Sequence, residues 1–284
     1  MASFKDLKKN RVSNLENLSK QVEKLAEKTN YEDDGIWKCE RDKSGMGYAV
    51  IRFLPASNNE DMPWVQMWSH GFKGPGGWYI ENSLTTLGKE DPVSKANTAL
   101  WNSGVESDKN IARDRKRKLS YYSNILVLED SANAENEGKV FLFRYGKKIF
   151  EKITSVMNPE FKDETPLNPF DFWEGANFKI KIRQVDGYAN YDKSEFASQS
   201  KLGDDAECEA IWKQQYALQE LVSADNFKSY QELEARFNTV IAHMGSDSDF
   251  IETIEEQKDE PVAVDAGEKT SEDTLDYFRK LAEQ

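Results

Sequence analysis

Arg113, Arg115, Lys116, Arg117 and Lys118, with Asp114 among them, run directly into Ser120, Tyr121 and Tyr122 and then into the apolar stretch Ile125, Leu126, Val127 and Leu128. Cations neutralise phosphates and release their counterions, and tyrosine rings offer flat faces to unpaired bases, so this pairing of residue types suits single-stranded nucleic acid. A solvated basic loop ahead of a core strand has the same composition, and the surrounding chain must decide between the two. A second basic group has clear spacing. Phe178, Ile180 and Ile182 alternate with Lys179, Lys181 and Arg183, so one face of a strand packs and the other presents cations. Tyr188 and Tyr191 follow in an aromatic loop. Arg144 belongs to a third basic group, between Lys139 and Lys148.

Catalytic chemistry is poorly supplied. The chain has two histidines, His70 and His243, no G-x-S-x-G elbow and no phosphate-cradling G-x-x-x-x-G-K loop, so no enzyme is expected. A metal-dependent nuclease would need carboxylates brought together by the fold. The two cysteines, Cys39 and Cys208, are far apart, which supports neither a disulfide framework nor a cysteine zinc site. No apolar run reaches the length of a membrane span and no apolar signal core follows the N-terminal charges, so a soluble intracellular protein is expected.

The formal net charge of -13 over 284 residues is unevenly distributed. Residues 246–284 hold thirteen acidic and four basic side chains, leaving about -4 on everything before them. So acidic a segment disfavours a packed core. It reads as a C-terminal tail for protein partners, whose end could fold on one as a short amphipathic helix. Residues 1–28 are basic, with Lys8, Lys9 and Arg11 ahead of Leu15, Leu18, Val22 and Leu25 at helical spacing. So thin an apolar stripe wants a surface to lie on. A basic aromatic core with an acidic tail suits reversible binding of a polyanion.

Between these ends, residues 29–245 read as one mixed domain. Gly47 to Pro55 alternates as a half-buried strand, with Ala49, Ile51 and Phe53 inward. Pro63 to Trp68 and Trp78 to Ile80 predict strands joined by the Gly-rich turn of residues 73–77. Residues 81–114 predict short helices and loops. Strands follow at Ser123–Leu128 and Lys139–Tyr145, then a helix from Lys147 to Met157, the strand Asn177–Val185, an unassigned stretch at 194–203, and helices from Asp204 to Ala242 interrupted near residues 223–227.

The chain resembles the helix-destabilising single-stranded DNA-binding protein of T-even-like tailed bacteriophages. The resemblance rests on residues 49–55 (Ala-Val-Ile-Arg-Phe-Leu-Pro), 70–73 with 78–81, 116–127, 135–141, 146–149, 173–178 and 190–192, in family order. It implies an α+β protein: an OB-fold β-barrel core with an attached helical and loop subdomain at 81–114, an N-terminal basic helix and an acidic C-terminal tail. It also implies cooperative, largely sequence-independent coating of unpaired DNA during phage replication, recombination and repair in the cytoplasm of the infected host. The N-terminal segment, with Lys8, Lys9 and Arg11, would drive self-association along the strand, and the tail would recruit replication proteins. Arg52, Lys116, Arg117, Lys118, Tyr121, Tyr122 (commonly Trp in the family), Phe143 (commonly Tyr), Arg144 and Tyr191 would line the DNA cleft. A regular strand turns adjacent tyrosines to opposite faces, which makes Tyr121 the safer of that pair. The family's zinc is held by a histidine and three cysteines. Here His70 keeps its place, but Ser83, Val93 and Ala96 stand at the corresponding cysteine positions. No zinc is therefore expected, and His70 reads as a structural histidine with only Glu81, Glu90 and Asp91 as nearby oxygen donors. The family's stacking tyrosines in this subdomain have no counterparts, leaving Trp101 as an available ring. The alternative reading is a non-catalytic replication adaptor acting mainly through its acidic tail.

Overall fold

A computed structural model describes residues 35–57 and 60–242. The expected N-terminal helix, with Lys8, Lys9 and Arg11, and the acidic tail lie outside the described residues.

Nine strands are joined in one branched sheet: β1 (Ile36–Trp37), β2 (Gly47–Phe53), β3 (Val65–Gly74), β4 (Gly77–Asn82), β5 (Lys118–Asp130), β6 (Val140–Tyr145), β7 (Ala176–Val185), β8 (Tyr188–Asn190) and β9 (Glu195–Gln199). The main path runs β1-β6-β5-β2-β7-β8, with β3 and β4 branching from β5 and β9 lying on β7. All neighbours are antiparallel except the short β1, which runs parallel to β6. β1 escapes a reading by pattern because two residues carry no period. β9 fills part of the stretch 194–203, where the sequence predicts no element.

The centre of the sheet is β5. Residues 118–122 pair with β3 and 125–130 with β2, while 121–126 pair with β6. Odd-numbered residues of β2, β5 and β6 and even-numbered residues of β7 converge on one core. Phe53 is its hub, with its ring 5.6–6.3 Å from those of Phe143, Tyr145, Phe170, Phe178 and Phe196. Helix α3 (Lys147–Met157) closes this core with Ile149, Phe150 and Ile153, and, as expected, it stops before Pro159.

The alternation of β2 predicts a half-buried strand, but both of its faces are buried. Just past it, Leu54 packs with Leu126, Val140, Phe172 and Cys208, the last on α4 (Asp205–Trp212). α5 (Leu218–Leu221) covers the adjoining patch of Val65, Met67, Tyr122 and Leu142. The starts of these elements follow local chemistry. Asp204 and Glu207 form a reciprocal capping box for α4, which satisfies two backbone donors that the helix leaves free.

The expected hairpin forms from β3 and β4. Beyond it lie a 3-10 turn (Leu84–Leu87), α1 (Pro92–Asn102) and α2 (Glu106–Asp114), short helices of the kind expected over this stretch. Asp91 caps α1 through the Ser94 amide, and Pro92 takes the first helical position, where a missing N–H costs nothing. Last among the described helices, α6 (Tyr230–Ala242) brings Phe237 and Val240 onto Phe72, Tyr79 and Val93. The hairpin turn docks against the end of this helix, with the Gly76 amide donating to the Val240 carbonyl at 2.8 Å. A Cβ on Gly76 would collide with the Thr239 carbonyl oxygen. Gly76→Ala should therefore cost about 1–3 kcal/mol of stability through overpacking. Urea unfolding measures this, and an unchanged midpoint would show that the turn does not seat on α6.

Candidate nucleic-acid interface

Lys116, Arg117 and Lys118 occupy the entrance of β5, where α2 hands the chain to the sheet. All three are exposed, and among the described residues none pairs with a carboxylate. Alternation divides them. Arg117 lies on the side of Leu119, whose partner across the ladder is Trp68, and its guanidinium sits 4.2 Å from the Trp68 ring centroid, a cation–π contact. Lys118 is on the other side with Ser120. There Arg144, paired with Tyr122 in the ladder, donates from Nε to the Ser120 hydroxyl at 3.1 Å. Arg144 is exposed. The result is a strip of cations straddling both sides of one strand end, with an indole beneath one of them.

The strip continues along α2. Trp101, at the end of α1, is 49% exposed, and its ring is flanked by Lys109 Nζ at 5.9 Å and the Arg113 guanidinium at 5.4 Å. Arg113 also pairs with Glu106 at 2.7 Å. Arg115 plays a different part. Its guanidinium lies 5.6 Å from the ring centroids of both Phe72 and Phe237, tying the end of α2 to β3 and α6.

Several residues expected to line a cleft are placed elsewhere. Arg52 is fully buried: its guanidinium donates to the Ser200 carbonyl at 2.6 Å, the Asp171 carbonyl at 3.1 Å and Asn177 Oδ1 at 3.1 Å. Gly175 makes room for it, because a Cβ there would lie 3.0 Å from Arg52 Nη2. Both Nη atoms of Arg52 are occupied, while its buried Nε has no partner among the described residues; a buried cation without such bonds would lose several kcal/mol of solvation, and the bond to Asp171 ties the loop before β7 to β2. Tyr121 is 5% exposed and stacks on Phe150 with centroids 3.9 Å apart. Burial also pushes its hydroxyl pKa up. Tyr122 is buried on the opposite face against Val65, Met67 and Leu142, and Phe143 is buried beside Phe53. The two tyrosines face opposite ways, as alternation requires, but both faces of the strand are covered, so neither offers a ring to a base.

The β7 cations keep their expected alternation and acquire counter-charges from the neighbouring segments. Lys181 Nζ is 2.7 Å from Glu195 Oε1, and Lys179 lies opposite Glu195 in the ladder. Arg183 Nε donates to Asp192 Oδ1 at 2.9 Å. That contact, first among several, holds the Asp192 carboxyl at about 2. Tyr188 is exposed on β8, whereas Tyr191 is half-buried against the main core.

Trp68 does not stand out in the sequence as a site residue. Its signal exists only in combination: a tryptophan at the end of a predicted strand, whose partner strand begins with cations.

A family model described as "gp32 DNA binding protein like" matches residues 45–241. The chain belongs to this family. It is 42% identical over 214 residues to the single-stranded DNA-binding proteins of Enterobacteria phages T2 and T4, a match covering 74% of this chain and 71% of each relative. A shorter match, 52% over 60 residues, links it to a single-stranded DNA-binding protein of Escherichia phage SV14, covering 21% of this chain and 53% of that protein. The family binds and does not catalyse, and among the described residues no helix is long and apolar enough to cross a membrane.

The burial of Tyr121 has a measurable consequence. Tyr121→Ala should lower unfolding free energy by about 3–5 kcal/mol, the usual loss for a large ring removed from a core, with DNA affinity following only the fraction folded. A variant as stable as the parent that binds poly(dT) more weakly would place the ring against DNA instead.

Proposed function

We propose that the chain binds single-stranded DNA, with the strand crossing the entrance of β5 and continuing over α2. The observation that carries this reading is the cation run Lys116, Arg117 and Lys118, exposed and without carboxylate partners among the described residues, directly beside the Trp68 ring. Unpaired exposed cations exchange small counterions for phosphates without first breaking an ion pair. Trp68 and Trp101 supply the stacking faces, and since every base has a π-face, little sequence is read. Arg144 extends the phosphate track, and Tyr188 is a further exposed ring. Lys179, Lys181 and Arg183 are secondary, because each shares its surroundings with an acid.

Binding unpaired and not duplex DNA lowers the free energy of the melted state by mass action, which destabilises helices without fuel. The convergence of four strands on the Phe53 core, closed by one helix, supports reading the sheet as a curled OB-type half-barrel. The relatives are phage proteins that bind single-stranded DNA, which supports roles on phage DNA within the infected host, in replication, recombination and repair. The basic segment 1–28 would give cooperative self-association through Lys8, Lys9 and Arg11, and residues 246–284 would recruit replication proteins. Read alone, the tail would also fit an adaptor, but an adaptor leaves the cation strip without a purpose.

Three experiments test these proposals. Lys116→Ala and Lys118→Ala should each reduce the slope of log affinity for poly(dT) against log salt by about 0.7 for every phosphate left unneutralised. Trp68→Ala and Trp101→Ala should each weaken binding by about 1–3 kcal/mol. Larger effects from Lys181→Ala or Arg183→Ala would move the strand onto β7. For cooperativity, deleting residues 1–28 should reduce affinity for long strands and spare short oligonucleotides, and equal losses at both lengths would refute the assignment.

A further inference from the structure

His70 of β3 is buried with polar company that strand binding does not use. His70, Ser83 and Asp91 are each at most 2% exposed. Asp91 Oδ1 lies 3.2 Å from His70 Nε2 and accepts from the Ser94 amide at 2.9 Å. Its Oδ2 accepts from the Ser83 hydroxyl at 2.9 Å and the Leu84 amide at 3.2 Å. The Ser94 hydroxyl is 3.4 Å from His70 Nε2. One carboxylate thus gathers donors from β3, the end of β4, the 3-10 turn and α1. Hydrogen bonds to an ionised group are among the stronger ones available to a protein. On its other side, His70 Nδ1 lies 2.9 Å from the Arg115 carbonyl oxygen, which also accepts from Asn97 Nδ2 at 3.0 Å.

This is the region where the family resemblance implies zinc, and the donors do not suit that ion. A structural zinc site wants four ligands, typically thiolates and imidazoles. Around His70 there is one carboxylate and otherwise hydroxyls and amides. Cys39 and Cys208 belong to other parts of the core. Among the described residues, no three His, Cys, Asp or Glu side chains are grouped to share an ion. Of the three positions where the resemblance puts cysteines, Ser83 bonds to Asp91, while Val93 and Ala96 pack in the apolar cluster with Phe72, Tyr79 and Phe237.

We propose that His70, Ser83, Asp91 and Ser94 form a metal-free clasp that closes this subdomain and, through the Arg115 carbonyl, sets where Lys116, Arg117 and Lys118 point. Arg115 is held twice, by its carbonyl here and by its side chain across Phe72 and Phe237, and the three exposed cations leave directly from it. The closing role stands alone. The positioning role rests on the strand-binding reading, with His70 and Asp91 as positioning residues.

The test uses the full chain. Metal analysis of the purified protein should find far less than one zinc per chain, and a strong chelator should leave both the melting temperature and poly(dT) affinity unchanged. Stoichiometric zinc whose removal lowers the melting temperature would overturn the metal-free clasp. Asp91→Ala should lower the melting temperature and flatten the salt slope for poly(dT), whereas Ile153→Val in the main core should leave that slope intact. An Asp91→Ala protein with reduced stability and a full slope would overturn the positioning role. Should Asp91→Ala fail to fold, Ser83→Ala removes a single donor and reports on the same slope. A parent protein with no salt-dependent poly(dT) binding would overturn the strand reading, and with it the positioning role, and leave the metal result standing.

Discussion

β5 is hydrogen-bonded along both edges and buried on both faces from Ser120 to Val127. A strand so enclosed can bring side chains to solvent only at its ends. That constraint separates two kinds of residue that lie next to each other in the chain. Tyr121 and Tyr122 become parts of two different cores, while Lys116, Arg117 and Lys118 stay outside because the ladder has not yet begun or has only begun. The ring nearest the cations then comes from the partner strand, where the half-buried Trp68 lies opposite Leu119.

Elements whose patterning is local were legible in the sequence. The β3–β4 hairpin follows from its Gly-rich turn, α3 from its periodicity and Pro159, and β7 from strict alternation. What sequence could not reveal was which faces are covered twice. Arg52 and Tyr122 carry the signature of a strand with one wet face, yet the loop before β7 and α5, both distant in sequence, lie over that face. Burial by remote segments leaves no mark on the period of the buried strand. Arg52 is the sharpest case, since a lone arginine in an apolar strand reads as a solvent-facing cation until three carbonyl and amide oxygens are found around it.

Charge composition misled in a related way. Lys179, Lys181 and Arg183 look as available as Lys116 to Lys118 when cations alone are counted. The difference lies in β9 and the loop before it, which bring Glu195 and Asp192 alongside. Exposed pairs of this kind add little stability. Their effect on a polyanion is larger, because a phosphate approaching Lys181 must also approach the carboxylate that lies beside it. The same logic explains why an acidic chain can carry a basic site: net charge describes the whole molecule, whereas a strand meets a local field.

Around His70 the residues are held by hydrogen bonds to one buried carboxylate and by apolar packing. Hydrogen bonds contribute about 1 kcal/mol each, or somewhat more when one partner is charged, so those at Asp91 are individually modest beside a metal–thiolate bond. Their position adds to their worth, because a buried carboxylate would be costly with any one of its donors missing. The second contribution is apolar. Val93, Phe237 and Val240 pack together with Tyr79, whose ring stacks on Phe72 at 5.1 Å. Two of these residues come from α6, more than a hundred residues downstream of the hairpin they cover. The region is therefore held from two directions, by its own polar centre and by α6.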